Sequence, residues 1–219
     1  MRWLTLILLV GCDVVFPLNT RDASSSLPPC AGSGLDDDFS TGSPCEPWGS
    51  IQNDHADVRL DSGHLLVTPE PSAPGTTFGG CTGGAELPIG PEGQILEITG
   101  GLTGGATYLV MHAFGMEAGS VDATIDQEMG MIGVYDGLTP TSGAIPYDPP
   151  AMRWWRVRPE SDGTGMIAEY SADAVVWQFL GAAPGLAPKH IIVNFGAGTN
   201  SQEPQPGTAS FGRLQVCAP

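Results

Sequence analysis

Basic side chains are scarce in this 219-residue chain. Eight Lys and Arg stand against 24 Asp and Glu, the formal net charge is −16, and Lys189 is the single lysine. So acidic a surface repels nucleic-acid phosphates and anionic lipid headgroups, which removes both as partners and leaves solubility as the plainest reading of the charge. Long apolar runs are also missing. Leu4–Val10 is too short to span a bilayer as a mature helix, and no later segment is both long and apolar enough. Several signatures of chemistry are absent too. There is no Gly-x-Ser-x-Gly elbow, no His-Glu-x-x-His metal pair and no Cys-x-x-Cys spacing for a thiolate site.

What is abundant is punctuation. Thirty-one Gly and 20 Pro interrupt the chain every ten to fifteen residues, which leaves little room for helices. Between them lie short alternating runs: His55–Leu60, His64–Pro69, Ala85–Ile89, Gln94–Thr99, Thr107–Gly115, Ser120–Gln127, Met131–Tyr135, His190–Phe195 and Ala209–Val216. Met152–Phe179 reads as a three-stranded meander, with turns around Glu160–Gly165 and Ser171–Ala174. About a dozen strands of this kind predict an all-β sandwich of two antiparallel sheets. Thr139–Pro150 reads as a long Pro-rich loop.

Alternation assigns faces in the meander. Trp155 and Val157 share one face, and Trp154, Arg156 and Arg158 share the other. Unpaired basic groups are not buried, so the Val157 face is the core and Trp154 points outward. Tyr170 is assigned inward, and Glu169 outward, where it meets Arg156 or Arg158 across the strands. The third strand, Val175–Leu180, is expected to turn Val175, Trp177 and Phe179 inward.

The chain opens with Arg2 and the apolar run, then Leu9-Val10-Gly11-Cys12. That stretch resembles the lipobox of bacterial lipoproteins, in which residues 1–11 are removed as a signal peptide and acyl chains anchor Cys12 to the membrane. The alternative is an ordinary secretory signal with an incidental cysteine. Residues 12–34 then form a tether rich in Ser, Pro and Gly, and residues 35–219 form one domain. On this reading the protein is exported and lipid-anchored in the bacterial cell envelope, at the outer membrane or cell surface.

Three stretches carry a wider resemblance. They are the Trp-Arg-hydrophobic-Arg strand followed by EYSADAVVW in the meander, the opening Asp36–Pro69 with its Asp-Phe strand and tryptophan, and the closing ASFGRLQV, Ala209–Val216. Together they resemble the concanavalin A-like lectin/glucanase superfamily over residues 35–219. The resemblance implies a jelly roll. First and last strands neighbour each other in that fold, so of the three pairings open to four cysteines it favours Cys30–Cys217, leaving Cys45–Cys81.

The laminarinase-type glycosidases that share the fold carry Glu-x-Asp-x-x-Glu on one strand. Here the nearest match puts Asp126 at the middle position, Thr124 at the nucleophile position and Met129 at the acid/base position, with Glu128 expected on the opposite face. No catalytic residue is assigned on that pattern. Binding of a glycan or another envelope ligand is the stronger expectation. Alternation gathers Trp154, Arg156, Glu169, His112 and Asn194 as candidates, with Trp154 as the plate beneath a sugar ring. Each also has a structural reading: an ion pair for Arg156 and Glu169, a half-buried imidazole for His112, and packing under the Thr139–Pro150 loop for Trp154. A purely structural or adhesive envelope protein is the second reading, and a divergent glycosidase the third. No cofactor is expected beyond a structural calcium, for which Asp36, Asp37 and Asp38 would be the ligands. Six or more oxygens are needed, and a solvated acidic turn before Phe39 is the alternative.

Overall fold

The structure, a computed structural model, describes Cys30 and residues 34–219. Cys12, the stretch read as a signal peptide and most of the stretch read as a tether lie outside the described residues. The strands in chain order are β1 (Gly34–Asp37), β2 (Gly49–Asp54), β3 (Ala56–Asp61), β4 (His64–Pro69), β5 (Thr77–Gly83), β6 (Leu87–Pro88), β7 (Gln94–Gly100), β8 (Thr107–Gly115) and β9 (Asp122–Glu128). They continue as β10 (Met131–Asp136), β11 (Thr139–Pro140), β12 (Ile145–Pro146), β13 (Trp154–Pro159), β14 (Gly165–Ser171), β15 (Gln178–Pro184), β16 (His190–Thr199) and β17 (Ala209–Cys217).

These strands form two antiparallel sheets. The first runs β15-β14-β13-β7-β17-β4-β3, with β1 also paired to β17. The second runs β11-β10-β9-β8-β16-β5-β2, with β12 on β10 and β6 on β16. Between them sit the inward residues of every central strand. Leu65, Leu96, Trp155 and Val157 come from one side, and Leu109, Met111, Ile125, Ile132 and Phe195 from the other. Gly34 pairs with Cys217 in register, and the Cys30–Cys217 disulfide closes the same corner. Cys45–Cys81 ties the loop before β2 to β5. Both are the pairings that the jelly-roll resemblance favours, and two disulfides fit an exported protein.

Several parts of the sequence reading change. Gly49–Asp54 is a strand, and the Thr139–Pro150 segment carries the short strands β11 and β12 rather than being loop throughout. Thr77–Gly83 is a strand inside the second sheet, although its glycines give it no apolar alternation. A Cβ on Gly79 would lie 2.7 Å from Val67 Cγ1 and 2.8 Å from the Ala56 Cβ, both on the facing sheet, so only a glycine lets the layers close there. The end of the meander also differs. Residues 172–177 form a loop and β15 begins at Gln178, so Val175 and Phe179 are 73% and 65% exposed rather than inward. The Asp173 carboxylate holds that loop by accepting the Val175 and Val176 amides at 2.9 and 3.0 Å.

Candidate functional site

The five residues expected to form one site are split between the sheets. Trp154, Arg156 and Glu169 lie on the outer face of the first sheet, and His112 and Asn194 on the outer face of the second, with the whole core between them. Trp154 faces outward as alternation requires, yet it is only 1% exposed. The loop after β14 folds over it, and it packs with Ile95, Ala174 and Trp177. It is therefore no plate for a sugar, and the loop that covers it is not the Thr139–Pro150 segment. Arg156 rests over the Trp177 ring at 4.0 Å. The Glu169 carboxylate accepts hydrogen bonds from Arg156 Nε at 2.7 Å and from Arg158 Nε at 3.0 Å. At 8% exposure this is a buried two-to-one ion cluster, and its groups are engaged with one another.

The proposed calcium ligands do not converge either. Asp36 accepts from Arg213 Nε and Gln215 Nε2 at 2.8 and 3.1 Å, and the arginine holds its carboxyl below the usual range. Asp37 accepts from the Phe39 amide and Trp48 Nε1 at 2.9 and 3.0 Å, while Asp38 takes the Ser40 amide and hydroxyl. Asp36 and Asp37 are neighbours on β1 and point to opposite faces, and Asp38 follows the end of the strand with its carboxylate turned to Ser40. Among the described residues no cluster of three or more His, Cys, Asp or Glu is placed to hold a metal.

The outer face of the second sheet carries a different set. Three cross-strand rows lie side by side on it. Gly198, Tyr108 and Glu128 form one, Gly196, Val110, Asp126 and Gly133 the next, and Asn194, His112, Thr124 and Tyr135 the third. Thr124, Asp126 and Glu128 thus share a face. Pairing of β8 with β9 is regular, and residues two apart in a regular strand point the same way, so Glu128 is not on the opposite face as the sequence reading had it. A cleft of about 300 Å³ opens over these rows, walled by Phe78, Tyr108, Tyr135 and Leu138. Glycines in β16 make that wall. A Cβ on Gly198 would meet the Tyr108 hydroxyl at 2.7 Å, so glycine lets the ring lie over the strand.

The electrostatics centre on Asp126. Burial, then the neighbouring Glu128 charge, pushes its carboxyl up to about 6, and its Oδ1 is shut off from solvent without a donor among the described residues. Glu128 accepts from Asn200 Nδ2 at 2.7 Å. His112 is pushed down to about 4 by burial, so it is neutral at pH 7 and has one donor and one acceptor nitrogen. Its Nδ1 is bonded to the Thr124 hydroxyl at 2.9 Å, and its ring stacks on Phe114. Asn194, opposite His112 in register, accepts the Gly83 amide through Oδ1 at 3.0 Å. Of the five expected residues, His112 lines the cleft and Asn194 lies beside it in register, while the other three sit together on the far sheet. The floor of the cleft was readable from the alternation of Thr124, Asp126 and Glu128 with Tyr108, Val110 and His112, whereas Phe78, on the unexpected strand β5, was not. Gly196 and Gly198 carried no signal.

No protein-family model matches the sequence, and no curated protein is similar to it. Solved structures do match in shape. A Bacillus licheniformis β-glucanase aligns with a TM-score of 0.56 at 8% identity, over 86% of this chain and 100% of its own. Lectin II from Ulex europaeus aligns at 0.52 and 12%, over 84% and 97%. A Mycobacterium tuberculosis antigen and pseudo beta-1,3-glucanase aligns at 0.53 and 11%, over 84% and 98%. At such identities the likeness is one of fold.

Proposed function

We propose that this concanavalin A-like sandwich is a glycan-binding protein of the bacterial cell envelope, anchored through Cys12, that holds a neutral sugar in the cleft on the outer face of its second sheet and does not hydrolyse it. The observation that carries the reading is Asp126. A buried carboxylate oxygen without a donor carries a desolvation cost, and a sugar hydroxyl supplies the donor it lacks. Tyr108, Tyr135 and Phe78 offer ring faces for the apolar side of a pyranose, and Glu128 and neutral His112 can take further hydroxyls. Two carboxylates in the cleft disfavour an acidic sugar there. Lectins and glucanases of the same fold support the ligand class. The missing carboxylate at Thr124 supports binding over retaining hydrolysis, which needs a nucleophile opposed to an acid.

The test is a glycan array with the purified protein, followed by titration of the best neutral ligand into Asp126→Asn and Tyr135→Ala. Binding that falls about tenfold or more in each supports the cleft. Unchanged binding in both variants overturns it. The raised Asp126 carboxyl favours one second reading, a general acid, so β-glucan hydrolysis is measured alongside. Turnover that Asp126→Asn abolishes replaces binding with catalysis.

A further inference from the structure

A second cleft, of about 410 Å³, opens where β4 begins, β7 ends and the Tyr147–Pro150 segment crosses over. It shares no lining residue with the cleft around Asp126. Two of its polar groups stand out. The Tyr147 hydroxyl and Arg153 Nε are both shut off from solvent, and neither has a hydrogen-bond partner among the described residues. Unpaired buried donors are rare because each forfeits its bonds to water. Both groups are held in place. Tyr147 packs edge-on against Trp155, with ring centroids 6.1 Å apart, and its backbone amide donates to the Gly130 carbonyl. Arg153 is fixed by its ion pair to Glu97, made through a terminal nitrogen, which leaves Nε uncommitted.

The chemistry of the missing partner follows from these groups. Arg153 Nε can only donate, and burial pushes the Tyr147 phenol up, so it keeps its proton and donates as well. Two unpaired donors on residues that line one cleft call for an acceptor with lone pairs in two directions, as a carboxylate has. The charge present limits that acceptor. Glu97 already balances Arg153, and Asp148 adjoins Tyr147, so a single negative charge is tolerated better than two. The remaining walls include Ile98, Pro149 and Pro150, which suit the carbon face of a ring.

We propose that this end cleft binds the carboxylate of a ring-bearing monoacid, of the size of a uronic acid, through Tyr147 and Arg153. The site is independent of the glycan reading, and each can fail without the other.

The experiment is an NMR titration of the 15N-labelled protein, following the Arg153 Nε–H resonance as sodium glucuronate is added, with glucose and sodium sulfate as separate arms. A saturable shift with glucuronate, absent with glucose and weaker with the dianion sulfate, is expected. Tyr147→Phe removes only a hydroxyl that bonds nothing described, so it keeps the fold, and it weakens glucuronate about tenfold. No saturable shift with glucuronate, an equal shift with glucose, or unchanged affinity in Tyr147→Phe overturns the proposal. A response to sulfate that matches or exceeds glucuronate overturns the carboxylate assignment.

Discussion

Trp154→Ala separates an outward-facing side chain from an exposed one. The indole lies on the outer face of the first sheet, yet the loop after β14 leaves it 1% exposed against Ile95, Ala174 and Trp177. Truncating a buried tryptophan costs about 3–5 kcal/mol. The lower end applies here, because one side of the cavity is a single loop that can sink into the gap, whereas Trp155 sits between both sheets and donates its Nε1–H to the Met152 carbonyl at 3.0 Å. The expected losses are therefore about 3 kcal/mol for Trp154→Ala and about 5 kcal/mol for Trp155→Ala. In a domain of this size about 3 kcal/mol lowers the melting temperature by about 6–12 °C. Urea unfolding and thermal melts of the two variants measure this directly. Amide exchange adds a local readout, since Val175 and Val176 donate to Asp173 across the covering loop and should lose protection in Trp154→Ala. A Trp154→Ala protein within about 1 kcal/mol of wild type, with that loop still protected, refutes the buried cluster.

Stability should respond to pH through two groups in the second-sheet cleft with opposite signs. Asp126 is raised from 3.8 to about 6, so its contribution is present below pH 3.8 and lost as pH rises through about 6, by at most about 3 kcal/mol. Asp126→Asn should therefore stabilise the protein at pH 7 and flatten that part of the profile, as denaturation at pH 4 and 7 will show. His112 is lowered from 6.5 to about 4, so its contribution is present above pH 6.5 and lost as pH falls through about 4. His112→Gln should remove that acid-side loss in the same assay. At the other end of the chain, Cys12→Ser should release the protein from membranes or leave its signal uncleaved, and membrane fractionation with unchanged processing would refute anchoring by lipid.

The sandwich was legible because period-two alternation is a local property and most strands carry it. His64–Pro69 and Thr107–Gly115 begin and end where the sequence places them. Thr77–Gly83 was not legible, because its reason for being a strand lies across the core, where Val67 and Ala56 leave no room for a side chain on Gly79. The candidate site divides along the same line. Alternation puts Arg156, Arg158 and Glu169 on one face of one sheet, and His112 and Asn194 on one face of one sheet, and both placements hold. It carries no information about which sheet a strand joins, so two faces on opposite sides of the core were read as one. It is also silent about cover. Trp154 obeys its parity and is buried all the same, by a loop whose path depends on Ser171, Asp173 and the left-handed Ala174 (φ 60°). Asp126 and Glu128 show the converse case. They are two residues apart on a regular strand, and parity alone brings them to the same cleft. What parity leaves out is depth. Phe78 and Tyr108 rise over Gly196 and Gly198, and these walls turn an acidic stripe into a cleft where a carboxyl holds its proton up to about pH 6.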